Sequence, residues 1–252
     1  MARPPILEVR GLTKVFGGLV ATSRVDLDVL AGETHAVIGP NGAGKTTLIA
    51  QLAGELPADE GTIRFGGRDV TGLPAPARSQ LGLARSFQIT SVFRELSALD
   101  NVALAVQAHA GHSFRFWRPA RGERALREPA RAMLETVGLC ARAEVTAGRL
   151  AHGEQRQLEI AMALATGPRL LLLDEPMAGM GGDESQRMIR LLRTLKARHT
   201  ILLVEHDMDA VFALADRISV MVYGRLVATE TPEEIRANLE VRRAYLGEEG
   251  DL

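Results

Sequence analysis

Three things are scarce in this chain. It has one cysteine, Cys140, among 252 residues, which excludes an internal disulfide and fits a reducing compartment. No apolar run approaches the ~20 residues of a membrane-spanning helix. No apolar signal region follows Met1-Ala2-Arg3-Pro4-Pro5. Charge of one sign is not in excess either. Thirty Lys and Arg stand against 31 Asp and Glu, so no global field marks a nucleic-acid binder. Internal repeats and low-complexity linkers are also missing. The expectation is a soluble, cytoplasmic protein that can still dock on a membrane protein. Hydrophobic residues make up 46% and charged ones 24%, an ordinary globular balance for one large domain or two small lobes.

What is present is concentrated in Gly39-Pro40-Asn41-Gly42-Ala43-Gly44-Lys45-Thr46. This matches G-x-x-x-x-G-K-[ST], the phosphate-binding P-loop. Apolar and small residues from Thr34 to Ile38 precede it as a buried strand. Leu48, Ile49 and Leu52 follow at helical spacing. Glycines let the backbone curl so that successive N–H groups face phosphate oxygens, and the helix start adds its positive dipole end. Lys45 is expected to reach the β- and γ-phosphates of a bound nucleotide, and the Thr46 hydroxyl to ligate Mg²⁺. Thr47 completes the phosphate-binding set.

Further along, Ile6–Val9 and Val25–Val29 alternate like half-buried strands, and Thr62–Phe65 reads as another. Gly82–Gln88 reads as a strand ending in a polar residue. From about 98 to 165 the patterns are mostly helical, with Gly138 as a stop after Ala125–Val137. Leu170–Glu175 is a continuous apolar run ending in two carboxylates, the mark of a central parallel strand. Asp183 and Ser185 are expected to cap the next helix. Thr200–Val204 is a second buried strand, ending at Glu205-His206-Asp207. Gly224-Arg225 is expected to turn a hairpin, and Thr231-Pro232-Glu233-Glu234 to start a terminal helix. Beside a P-loop, Asp174 is expected to hold Mg²⁺ and Glu175 to orient or deprotonate the attacking water.

Together these features resemble the ATP-binding-cassette ATPases. The P-loop, Gln88, Leu150-Ala151-His152-Gly153-Glu154-Gln155, Leu170–Glu175 and His206 occur in that family's order. The resemblance covers nearly the whole chain. It implies an α/β P-loop NTPase with a RecA-like core, an antiparallel β lobe and an inserted helical lobe. A single cassette would span 1–252, with 1–88 and 167–252 as core and β lobe and about 89–166 as helical lobe. It also implies ATP and Mg²⁺ as cofactors, and two cassettes closing head-to-tail on two ATP molecules. Gln88 resembles the loop glutamine that touches Mg²⁺ or water, and His206 the histidine that contacts the γ-phosphate. Phe16 resembles the aromatic that stacks on adenine, the alternative being a small core residue. Ala151, His152, Gly153 and Glu154 match the loop that completes the partner's nucleotide site.

Two departures stand out. Leu150-Ala151-His152-Gly153-Glu154 replaces Leu-Ser-Gly-Gly-Gln, so the serine hydroxyl is gone. Ala178-Gly179-Met180-Gly181 replaces Ser-Ala-Leu-Asp. Glu154 is expected to point away from phosphate, His152 to pack the loop, and Gly153 to tolerate no change. Phe16–Ala21, Ala84–Ile89, Glu175–Met180, Val204–Met208 and Arg243–Glu248 look like the ATP-binding subunits of branched-chain amino acid importers. Urea, amide, organic-acid and lipid-export cassettes share much of the pattern. Implied partners are a second cassette, transmembrane permease subunits and, indirectly, a substrate-binding protein, at the inner face of the membrane and without nucleic acid. His112–Arg121, with Arg124 and Arg127 beyond, is basic and aromatic, fitting either a solvated loop or a contact with permease or lipid headgroups.

Overall fold

The leucine run forms the middle of the molecule because it has nothing polar to expose before Asp174. Strand β7 (Leu170–Asp174) is buried at every position. The structure is a computed structural model and describes residues 4–86, 92–109, 123–239 and 241. In the larger sheet β7 lies between β6 (Leu83–Arg85) and β8 (Thr200–Val204). Next come β3 (Thr34–Ile38), β9 (Arg217–Val222) and the edge strand β10 (Arg225–Glu230). All neighbours are parallel except β9 and β10. Both faces of the parallel part are covered, as parallel sheets require.

A second, antiparallel sheet has the order β2-β1-β4-β5. It comprises β1 (Pro5–Phe16), β2 (Leu19–Leu30), β4 (Glu60–Phe65) and the short β5 (Arg68–Asp69). The alternation at Ile6–Val9 continues through an irregular stretch, so β1 is longer than that pattern alone predicts. Between this sheet and the parallel one lies α1 (Lys45–Ala53), whose Leu48, Ile49 and Leu52 are fully buried. On the opposite face of the parallel sheet pack α3 (Ala98–His109), α4 (Arg124–Thr136), α5 (His152–Leu164) and α6 (Gly182–Lys196). The short α2 (Ala75–Gln80) precedes β6. Helices α7 (Met208–Leu214) and α8 (Pro232–Ala237) cover the β9 end.

Several local expectations hold in form. Helix α4 stops before Gly138, which takes φ +78°, and Thr231 caps α8 with Pro232 behind it. Others need correction. Helix α6 is capped by Gly181 with no side-chain bond, not by Asp183 or Ser185. The turn after β7 delivers the Gly181 carbonyl to the Ser185 N–H at 2.9 Å, which leaves Asp183 and Glu184 in the first turn against the helix dipole. The β9–β10 turn is Tyr223-Gly224, one residue earlier than expected. Their φ angles of +46° and +78° suit the left-handed pair of a tight hairpin. The strand expected over Gly82–Gln88 covers only Leu83–Arg85, and Gln88 lies outside the described residues, as do His112–Arg121 and Arg243–Glu248.

Candidate functional site

Strand β3 is buried end to end between β8 and β9 and delivers the chain to Gly39 at the carboxyl edge of the sheet. Two glycines of the loop admit no side chain. A Cβ on Gly39 would lie 2.1 Å from the Met221 carbonyl oxygen, and one on Gly44 would lie 2.1 Å from that of Ala21. Gly44 also has φ +105°. Ala43 N–H donates to Pro40 O at 3.2 Å, and Gly224 N–H donates to Ala43 O at 2.9 Å. The loop is thereby clasped from within and by the β9–β10 turn. Gly44 caps α1 without a side-chain bond, so the first N–H groups of that helix stay open.

Lys45 is the first residue of α1 and is buried. Its Nζ donates to Gly39 O at 2.7 Å and to Pro40 O at 3.0 Å. Burial pushes its pKa below the usual lysine value, while the carboxylates of Glu175 and Asp174 pull it back up. Thr46 is exposed beside it and Thr47 is half-buried. Both strand-end acids are thus near enough to act on the Lys45 charge.

Asp174 closes β7 and is 1% exposed. Its Oδ2 accepts from Arg85 Nη2 at 2.9 Å, and Arg85 Nη1 also pairs with Glu55. Asp174 Oδ1 is buried and has no hydrogen-bond partner among the described residues. Burial pushes the Asp174 carboxyl above its ordinary value and Arg85 pulls it down. Glu175 takes φ +49°, a left-handed backbone rare outside glycine, and its N–H donates to Val204 O at 2.9 Å. The chain thus swings out of the sheet at Glu175, a strain of about 1–3 kcal/mol held by the packed core.

His206 follows β8, with 58% of its side chain exposed. The residue before it, Glu205, is wholly buried. Glu205 Oε1 accepts the Met177 N–H at 2.9 Å and Oε2 accepts the His206 N–H at 3.0 Å. Burial pushes the Glu205 carboxyl up, and backbone N–H groups of Met177, His206 and Asp207 pull it back. One carboxylate thus fastens the turn that follows Glu175 to the turn that carries His206. Sequence reasoning passed over both Glu205 and Arg85. The only visible signal was a polar residue at the end of an apolar strand. Replacing Glu205 by Ala removes the acceptor of the Met177 and His206 N–H groups, each loss costing about 1–3 kcal/mol, and relieves a buried charge. The expected net loss of about 1–3 kcal/mol is read from urea unfolding. A stability equal to the parent's would remove the clamp.

The remaining candidate residues lie on other elements. Ala151 caps α5, and its N–H donates to Glu154 Oε2 at 3.0 Å. Arg142 Nε donates to Glu154 Oε1 at 3.0 Å, so both oxygens of that carboxylate are engaged inside the chain. A His152 ring nitrogen lies 3.2 Å from Ala178 O, tying the start of α5 to the turn after β7. Gly153 is buried, and a Cβ there would lie 3.2 Å from Glu184 Oε1. An Asp at 153 would therefore meet Glu184 of its own chain before any partner. Phe16 ends β1 with 47% exposure and with Lys14 Nζ 5.6 Å from its ring centre, so it is not a core residue. Arg127 is paired with Asp100 at 3.0 Å and with Glu144 at 3.2 Å.

A P-loop at the carboxyl edge of a parallel sheet, with a lysine facing two strand-end acids, defines a P-loop nucleoside triphosphatase. Comparison with known proteins narrows the class. The family model of the ABC transporter matches residues 22–178, and that of the branched-chain amino acid ATP-binding cassette transporter matches 227–251. The chain is 43% identical to the high-affinity branched-chain amino acid transport ATP-binding protein BraF of Pseudomonas aeruginosa, over 97% of this chain and 98% of that protein. It is 42% identical to LivG of Salmonella typhimurium, of the same description, with the same coverage. A crystal structure of the ADP conformation of an ABC transporter's ATP-binding cassette is 31% identical, with a TM-score of 0.85 over 97% of this chain and all of that one. The chain belongs to the ABC transporter family and is an ATP-binding, ATP-hydrolysing cassette. Among the described residues no helix is long and apolar enough to cross a membrane.

Proposed function

We propose that this chain is the MgATP-hydrolysing subunit of an importer for branched-chain amino acids. The observation that carries the reading is the open start of α1 with Lys45 set against Asp174 and Glu175. The N–H groups from Gly42 to Thr47, with the helix dipole, receive the β- and γ-phosphates, and Lys45 leaves the loop carbonyls to meet them. Gly39, Pro40 and Asn41 form the rest of the cradle. Phe16, exposed at the end of β1, stacks on the adenine, worth about 1–3 kcal/mol.

The donor set fits Mg²⁺. Among the described residues there is no cluster of three or more His, Cys, Asp or Glu side chains that would hold an ion alone. A magnesium ion held mainly by phosphate and water needs one hydroxyl and one carboxylate from the protein. Thr46 supplies the hydroxyl, and Asp174 Oδ1, buried and unpartnered, supplies the carboxylate oxygen. When bound, Mg²⁺ would supply neutralisation of the phosphate charge. Gln88 is assigned to the same ion or its water by position in the sequence. Glu175 orients the attacking water and takes its proton, and His206 donates to the γ-phosphate from the tip of β8.

The site is completed by a second cassette, which presents its own Ala151–Glu154 loop. With Glu154 engaged by Arg142 and by the Ala151 N–H, and His152 by Ala178, the donors left for phosphate are backbone N–H groups at the start of α5. Ala151→Ser is expected to raise saturated ATPase by at most about tenfold, the worth of one added neutral hydrogen bond. A large loss would show that the loop packs too tightly for a hydroxyl. The whole chain acts as one cassette, its helices α3 to α5 forming the lobe that meets permease subunits at the inner membrane face. The branched-chain assignment rests on the descriptions of the relatives. Deleting the gene and measuring uptake of labelled leucine, urea and acetamide tests it. Selective loss of leucine uptake is expected; intact leucine uptake with lost urea or amide uptake would reassign the cargo.

A further inference from the structure

One buried cation has no part in the chemistry so far. Arg85 ends β6, with 9% of its side chain exposed. In the parallel ladder it stands beside Leu172, two residues before Asp174. One arm of its guanidinium donates to Asp174 Oδ2 at 2.9 Å. The other arm pairs with Glu55, just after the Gly54 that caps the far end of α1. A single planar group thus spans from the tail of the P-loop helix to the acid at the tip of β7. Its Nε has no partner among the described residues, so the two arms carry its contacts.

Geometry gives this pairing a direction. A carboxylate on a two-bond stem swivels unless one oxygen is held. Arg85 holds Oδ2, and Oδ1 is the oxygen left without a partner in the same buried site. Along the sheet the pair is flanked by buried apolar residues, Leu83, Ala84 and Leu171 to Leu173, and a buried ion pair among such residues adds little net stability. An ion pair in that setting specifies orientation more than it adds stability. A guanidinium fork suits the task because it is flat and charged at every pH of interest, and two rigid arms fix its own orientation.

We propose that Arg85 is the positioning residue of Asp174: anchored by Glu55, it turns Asp174 Oδ1 toward the phosphate side so that the metal–nucleotide complex meets an acceptor already in place. This rests on the reading that Asp174 serves the metal. Ligand-orienting partners of this kind typically affect metal affinity by about 10–100-fold.

The test uses Mn²⁺ as a paramagnetic probe, titrated by electron paramagnetic resonance into the full chain with a non-hydrolysable ATP analogue. Metal-free nucleotide affinity is measured separately with EDTA present. Arg85→Gln is expected to weaken Mn²⁺ binding by about 10–100-fold and to leave metal-free nucleotide affinity unchanged. Arg85→Lys, which reaches one carboxylate with a single point charge, is expected to fall between, and Glu55→Gln to shift in the same direction by less. Parental Mn²⁺ affinity in a folded Arg85→Gln overturns the proposal, provided Asp174→Asn loses it. Unchanged Mn²⁺ affinity in Asp174→Asn overturns the underlying reading of Asp174 instead. If Arg85→Gln does not fold, Arg85→Lys and Glu55→Gln decide: parental Mn²⁺ affinity in both rejects the anchor.

Discussion

Glu175→Gln is expected to bind MgATP as the parent does and to release phosphate about 10²–10⁴ times more slowly. The glutamine keeps the shape and the hydrogen-bonding reach of the side chain, so the fold at the tip of β7 survives. What it lacks is a carboxylate able to take a proton from water. The backbone is compatible with that role: φ of +49° and the bond from the Glu175 N–H to Val204 O turn the residue out of the sheet. Because binding persists while hydrolysis stalls, the variant should accumulate as an ATP-held dimer. Steady-state phosphate release and size exclusion with ATP report the two halves. Phosphate release within a few-fold of the parent would reject Glu175 as the base.

Lys45→Ala acts at the earlier step. On the proposed reading it removes the cation that leaves the loop carbonyls to meet the phosphates, and with it about two charge-assisted hydrogen bonds of 1.5–3 kcal/mol each. The expected loss of about 3–6 kcal/mol is roughly 10²–10⁴ in nucleotide Kd, read by titration with a fluorescent ATP analogue. A Kd within tenfold of the parent would place the phosphates elsewhere. The parent has a related pH signature. Burial lowers the Lys45 pKa, so on the alkaline side its charge is lost at lower pH than an exposed lysine's, and nucleotide affinity should weaken there first. Lys45→Ala should not show that alkaline limb.

The parts of the site that could be read in the sequence are those whose partners lie next to them in the chain. Gly39 to Thr46 carries its own strand before and helix after, and Leu170 to Glu175 states burial and then charge in six letters. Arg85 and Asp174 are 89 residues apart, Glu205 and Met177 are 28 apart, and His152 and Ala178 are 26 apart. No periodicity links such pairs; the sheet and its turns bring them together. The cap of α6 is hidden from the sequence for a similar reason. Asp183 and Ser185 are good cap residues, yet the turn after β7 delivers the Gly181 carbonyl first. Glu154 could be anticipated, because an acid three residues after a helix start tends to fold back on it, and here it does.

The clasp on the phosphate loop has a consequence for how the protein is made. Strand β3 enters the loop with Thr34 N–H bonded to Asp216 Oδ2 and with the His35 ring 2.8 Å from Ser219 Oγ, partners 182 and 184 residues downstream. Ala43 O then waits for the N–H of Gly224. A ribosome adding about 5–20 residues per second needs roughly 10–40 s to cover that distance. Through that interval the nascent chain carries its most diagnostic stretch with its frame still unmade. A message truncated before Asp216 therefore yields a chain that retains the whole P-loop and lacks the β9 partners of the strand that leads into it.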